Sequence, residues 1–238
     1  MSCVITYKGQ KYSEEQFKEY FINNKQEFAT SIAKNKDVID SFKRKMEGID
    51  FVFSQSPELA SIGSKAQYLQ YLSTIFKTSK VKDIVYHGSK NTFEQFSKDF
   101  LGSNLGQISP DSKLGFFFSN LENAKGFGKN IFTTILNMSN PKIVTEDEYT
   151  KLSGGTREFK NKVFSKLLNE SKQENKDSLL ADFRVSDYMG SKQYVVFEPE
   201  QIHVMGGKND IQGFKDFVDN KNIEELPGLD ELPEPQCK

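Results

Sequence analysis

A chain of 238 residues with 36% hydrophobic residues, including 21 Phe and 9 Tyr, can bury a real core and is not a disordered polymer. Its formal net charge of -1 supplies no global field toward nucleic acid or membrane. Charge is uneven, however: residues 216–238 hold seven acids and two lysines, net -5, which leaves the first 215 residues at +4. Cys3 and Cys237 make no disulfide framework, and with only two histidines no zinc-site spacing can be assembled. No apolar run reaches membrane-spanning length, and the start MSCVITYKGQ lacks the features of a signal peptide, so the expectation is a cytoplasmic protein with reduced thiols.

In chain order, Val4, Thr6 and Tyr7 favour a strand and Lys8-Gly9 a turn, giving a short hairpin. Ser13 followed by Glu14, Glu15 and Gln16 reads as a capped helix start, with Phe17, Tyr20 and Phe21 at helical spacing. A second amphipathic helix is expected over 28–50, with Ile32, Val38, Ile39, Phe42 and Met46 apolar, and a third over 64–76. VKDIVYHGS (81–89) then reads as a strand delivering a loop, LGFFFS (114–119) as a buried strand, and NIFTTILNM (130–138) as a third. Ser139-Asn140-Pro141 breaks the chain. Residues 156–172 suit a charged surface helix, and SLLADFRV (178–185), KQYVVFEP (192–199) and QIHVMG (201–206) are strands, the last two joined as a hairpin at Pro199. Asn209 caps a final helix through Phe217. Helices in front and short strands behind give an α+β fold: a helical appendage over 1–55, a domain over 56–220 and an acidic flexible tail over 221–238.

His87 ends a predicted strand immediately before Gly88-Ser89. Polar groups at such strand ends, beside a glycine that lets a ligand reach the backbone, often build binding sites, but a histidine pairing with a neighbouring loop fits equally well. By alternation, Phe116 and Phe118 face one side of their strand and Phe117 the other, which leaves an aromatic face either for core or for stacking on a flat heterocycle. His203 reads as structural.

Taken together, VKDIVYHGS, LGFFFS with Ala124 and Phe127 behind it, and KQYVVFEPEQIHVMG resemble ADP-ribosyltransferases in order and spacing. The likeness is to the His-Tyr-Glu branch shared by diphtheria-type toxins and poly-ADP-ribose polymerases, and within it to the ART domain in polyvalent proteins of phages and mobile elements. It spans about residues 50–218 and implies a split β-sheet with flanking helices, NAD as co-substrate and no metal. Residue by residue, it makes Gly88 the clamp on the nicotinamide carboxamide, with Ser89 helping. His87 takes the adenosine-side ribose, Phe117 stands at the second-motif tyrosine, and Phe127 stacks on the nicotinamide. Ser119 and Tyr194 complete the cofactor-binding set.

The third motif departs from the family pattern, because Gln193 occupies the slot of the glutamate that stabilises positive charge as nicotinamide leaves. An amide keeps the hydrogen bond without the charge. Asp182 and Glu122 are candidate compensating acids, whereas Glu198 falls on the other face from Gln193 and is a poor substitute. The resemblance therefore implies His87, Phe117 and Gln193 as the catalytic set of a monomeric enzyme. Its acceptor is a protein side chain or a nucleic-acid base, and its place of action extends to a host cell's cytoplasm. An NAD glycohydrolase, and a catalytically weak module that binds NAD or a partner, are the alternatives.

Overall fold

The computed structural model describes residues 4–7, 10–13, 16, 23, 43–102, 113–153, 157–182 and 192–220. Two units divide the chain: Met1–Lys43 with Lys221–Lys238, and Arg44–Asn220. In the first, β1 (Val4–Tyr7) and β2 (Gln10–Ser13) form the expected antiparallel hairpin, with Val4 opposite Ser13. Most of the helix expected after Ser13, residues 28–42 of the second helix and the acidic tail lie outside the described residues.

The second unit opens with helices. Residues 43–55 form α1, continuing five residues beyond its expected end at 50. After the short α2 (Leu59–Ile62), α3 (Lys65–Thr74) begins with a reciprocal cap in which Gln67 N–H donates to Ser64 Oγ and the Gln67 side chain accepts from Ser64 N–H. The last helix, α7 (Lys208–Asn220), starts one residue before Asn209, its expected cap. Ile49, Val52, Leu59, Tyr68, Tyr71, Leu72 and Phe214 bury together with Met205, and Ile84 and Ile135 pack against them. Asp210 is fully buried in this layer, accepting from Tyr68 Oη at 2.5 Å and Gly206 N–H at 2.7 Å, with His203 Nε2 at 2.6 Å. His203 is therefore structural, as read from the sequence.

Two sheets follow. One has the order β3 (Val85–Ser89), β5 (Asn130–Leu136), β9 (Ile202–Val204), all antiparallel. The other runs β4 (Phe116–Phe118), β8 (Lys192–Val196), β7 (Ser178–Asp182), β6 (Pro141–Val144). Between β4 and β5 lies the short α4 (Leu121–Lys125). Val85 and Leu136 of the first sheet meet Phe116, Phe118, Tyr194 and Val196 of the second in a shared core. The opposite face of the second sheet carries Leu179, Ala181, Val195 and Phe197. It is covered by α6 (Arg157–Gln173) through Leu167 and Leu168, after α5 (Glu146–Ser153).

The expected break at Ser139-Asn140-Pro141 holds, since β5 ends at Leu136, but a further strand, β6, opens at Pro141 and pairs parallel to β7 with Pro141 opposite Ser178. Proline fits as the first residue of an edge strand, where it need not donate to a ladder. One expectation fails here: β8 and β9 are not a hairpin, and the 3-10 turn Pro199–Gln201 carries the chain from one sheet to the other. Gln201 pins that crossing. Its Oε1 accepts from Phe197 N–H at 3.0 Å and Glu198 N–H at 2.9 Å, while its Nε2 donates to the Asn137 carbonyl at 2.8 Å and the Asp177 carbonyl at 3.0 Å.

Gln201→Met keeps the volume and strands four backbone groups. Unfolding in urea should show a loss of about 3 kcal/mol or more.

Candidate active site

Among the described residues the backbones of the two sheets are joined by one isolated bridge. Tyr86 N–H donates to the Ser119 carbonyl at 2.9 Å and Ser119 N–H returns to the Tyr86 carbonyl at 3.0 Å. One step along, at the Phe117 carbonyl, the acceptor is met by a side chain, His87 Nδ1, at 2.8 Å. A carbonyl only accepts, so Nδ1 carries the proton and Nε2 of the neutral ring is an acceptor. Burial pushes the His87 pKa below the ordinary histidine value, and the bond to Phe117 only partly offsets it. The imidazole is therefore neutral at pH 7.

Around that ring stand aromatics: Phe96 at 5.1 Å between centroids, Phe118 at 5.6 Å, and Phe93 and Phe132 each at 6.3 Å. Phe93 and Phe132 stack at 4.1 Å and 15°. Sequence reasoning missed Phe93 and Phe96. They lie outside regular secondary structure, in NTFEQF, where no periodicity marks them.

Gly88 and Phe127 come together as the motif order implies, but the glycine has its own reason. A Cβ on Gly88 would lie 1.8 Å from the Ala124 carbonyl oxygen and 3.3 Å from Phe127 Cβ, so only glycine lets the end of α4 seat against β3. Gly128 likewise leans on the backbone of Ser89, where a Cβ would come within 2.1 Å. Between these two contacts Phe127 is held at the surface, 43% exposed. Ser89 is buried, and its Oγ accepts from Asn91 N–H at 3.1 Å, fixing the turn after His87.

On the other sheet, Phe117 shares a face with Val195 rather than with His87's neighbours. Its ring lies 5.9 Å from Phe164 of α6, and it offers His87 its backbone carbonyl. Tyr194 points into the core between the sheets, and its Oη donates to Asp83 Oδ2 at 2.9 Å. Ser119 is buried at the bridge. Gln193 pairs with Ala181 at the start of β8 and faces the same side as Val195. It is only 7% exposed, and its side-chain amide makes no hydrogen bond among the described residues. His87 and Gln193 flank β4 on neighbouring strands, which at normal strand spacing puts their Cα atoms on the order of 10 Å apart.

Of the acids considered, Glu198 is at the far end of β8 in an ion pair with Lys98, and Glu122 is exposed in the first turn of α4. The Asp182 side chain is outside the described residues. Among the described residues no group of three His, Cys, Asp or Glu side chains gathers as a metal site, and no helix is long and apolar enough to cross a membrane.

Gly88→Ala should lose about 2 kcal/mol or more in chemical unfolding, because the new methyl meets backbone. Phe127→Ala should stay within about 0.5 kcal/mol of the parent, as expected for an exposed ring. His87 has a folded pKa below its unfolded value, so the unfolded chain takes up the proton first as pH falls. Its contribution is fully present above that unfolded value and is lost as the medium turns mildly acidic. Unfolding free energies at pH 7.5 and 5.5 should therefore differ more in the parent than in His87→Gln.

No curated protein and no solved structure matches the chain at a significant level. The family described as ADP-ribosyltransferase in polyvalent proteins matches residues 80–211, more than half of the chain. That span begins just before the strand bearing His87, contains both sheets with their bridge, and ends in α7; the chain belongs to this family of ADP-ribosyltransferases.

Proposed function

We propose that this protein transfers ADP-ribose from NAD to a macromolecular acceptor and releases nicotinamide. The observation that carries this reading is the placement of an exposed aromatic, Phe127, against the Gly88-Ser89 end of β3 beside a neutral histidine. A flat ring held at the surface by backbone contacts on both sides suits stacking on nicotinamide. Nε2 of His87, an acceptor because Nδ1 is committed to Phe117, suits a ribose hydroxyl. The Gln193 side-chain amide makes no hydrogen bond among the described residues and is not sealed from solvent, so it is open to a ligand hydroxyl. Gly88 and Ser89 contribute backbone, and Ser119 holds the seam against which the substrate lies. Phe117 positions His87 through its carbonyl, and Tyr194 supports the strand beneath.

In the reaction the C1′–N bond of the nicotinamide riboside breaks, and its electron pair returns to the pyridine nitrogen, neutralising the ring's positive charge. A nucleophilic oxygen or nitrogen of the acceptor bonds to C1′, and the acceptor's proton leaves to solvent. The barrier is an oxocarbenium-like state, of the kind met in glycoside cleavage. A carboxylate at position 193 stabilises that charge, whereas the amide of Gln193 orients the ribose and leaves the charge to solvent and dipoles. This specific substitution favours a second reading, a slow enzyme whose principal acceptor is water, or a module that holds NAD without turnover. The expected place of action is the cytoplasm.

Incubation of the purified chain with NAD labelled in its adenylate half, together with cell lysate, should release nicotinamide and put label into macromolecules. Nicotinamide without labelled acceptor would point to hydrolysis, and NAD binding without nicotinamide to the silent module. Gln193→Glu should raise turnover about tenfold or more, since charge stabilisation in a dry site amounts to a few kcal/mol. His87→Ala should raise the Kd for NAD.

A further inference from the structure

We infer that Lys90, Lys125 and Lys129 form a docking rim for a phosphodiester backbone, so that the ADP-ribose acceptor is a nucleic acid. The acceptor half of this statement rests on the transferase reading above; the docking half stands on the surface alone.

The three lysines are brought together by the contacts that place Phe127. Lys125 follows Ala124, whose carbonyl abuts Gly88, and accordingly sits at the end of α4 beside the Gly88 end of β3. Lys129 lies between Gly128, which leans on the Ser89–Lys90 backbone, and Asn130, whose Nδ2 donates to the Lys90 carbonyl at 2.9 Å. Lys90 and Lys129 are thus held side by side at the ends of β3 and β5, one step beyond the paired residues Ser89 and Asn130. All three are exposed, and none has an ion pair or a side-chain hydrogen bond among the described residues. Nearby acids do not neutralise them. Glu94 is in an ion pair with Lys208, which leaves Glu122 on the first turn of α4 against three cations.

Like charges held opposite each other on adjacent strands raise the energy of the free protein. An anion bridging them removes that repulsion. Phe127 lies between Lys125 and Lys129 in the chain and against Gly88, two residues before Lys90. Cations near an exposed aromatic are the surface that single-stranded nucleic acid recognises, phosphates on the charges and a base beside the ring. An acidic protein segment would satisfy the charges but has no π-face to set beside Phe127. The rim also borders the proposed nicotinamide platform, so a strand docked there has a base within reach of the C1′ carbon that the acceptor must attack.

Anisotropy of fluorescein-labelled 12-nucleotide single-stranded DNA and RNA, titrated with the full chain at 50 and 200 mM KCl, tests the docking half. With three phosphates engaged, the slope of log K against log salt should be about -2. The combined Lys90→Gln, Lys125→Gln, Lys129→Gln variant, checked for an unchanged melting curve, should bind at least tenfold more weakly and with a flatter slope. Equal affinity of parent and variant overturns the inference, as does a parent that binds poly-glutamate and not the oligonucleotides. With labelled NAD and the same oligonucleotides mixed with lysate protein, label in the oligonucleotide supports the acceptor assignment, and label confined to protein overturns it. If the parent releases no nicotinamide under any condition, the transferase reading fails, while the oligonucleotide titration still decides whether the rim docks nucleic acid.

Discussion

Everything that qualifies this molecule as a candidate enzyme hangs on how two sheets are joined. A continuous sheet would pair β3 with β4 along their whole length and leave no opening. Here the pairing is one bridge long, Tyr86 with Ser119, and the next acceptor on β4, the Phe117 carbonyl, is taken by the imidazole of His87. A side chain thus substitutes for a ladder bond where the strands part, which satisfies the buried carbonyl and fixes the histidine's tautomer in one contact. The seam makes the polar site and the split in the sheet a single structural fact.

Two glycines and one glutamine hold that seam in place. Gly88 and Gly128 let α4 and the turn after it press onto the backbone of β3, and the price of that closeness is that neither position accepts a side chain. The exposed Phe127 is a consequence, because the chain between two backbone contacts has nowhere to bury the ring. From the other side, Gln201 satisfies four backbone groups at the ends of β5, β7 and β8, and so ties the sheets where the chain crosses between them. The shared aromatic core of Phe116, Phe118, Tyr194 and Val196 against Val85 and Leu136 supplies the apolar cohesion that these polar contacts orient.

Gln193 gives the site its particular character. It is nearly buried at the start of β8 and carries no charge, and Glu198 is engaged with Lys98 at the far end of the strand. The Gln193 side-chain amide has no protein partner among the described residues yet is not a buried unsatisfied group, so it offers a hydrogen bond without a negative charge.

The amino-acid sequence alone determined the elements with strong local signals. Alternation and β-branching placed β3, β4, β5 and β8, apolar spacing over 64–76 announced α3, and the motifs around His87-Gly88-Ser89, Phe127 and Gln193 marked the family. Sequence missed what depends on partners distant in the chain. The break at Ser139-Asn140-Pro141 was legible, but β6, which opens at Pro141, was not, because its pairing partner β7 lies far along the chain. The turn at Pro199 looked like a hairpin because its flanks are both strands, while the choice between sheets is made by Gln201 reaching carbonyls at Asn137 and Asp177. Phe117 and Tyr194 read as ligand-facing, yet the register of β4 on β8 and the packing of α6 turn both rings into apolar layers. Local propensity fixes which residues extend or coil; which face meets a ligand is settled only when two sheets part at one bridge and leave His87 between them.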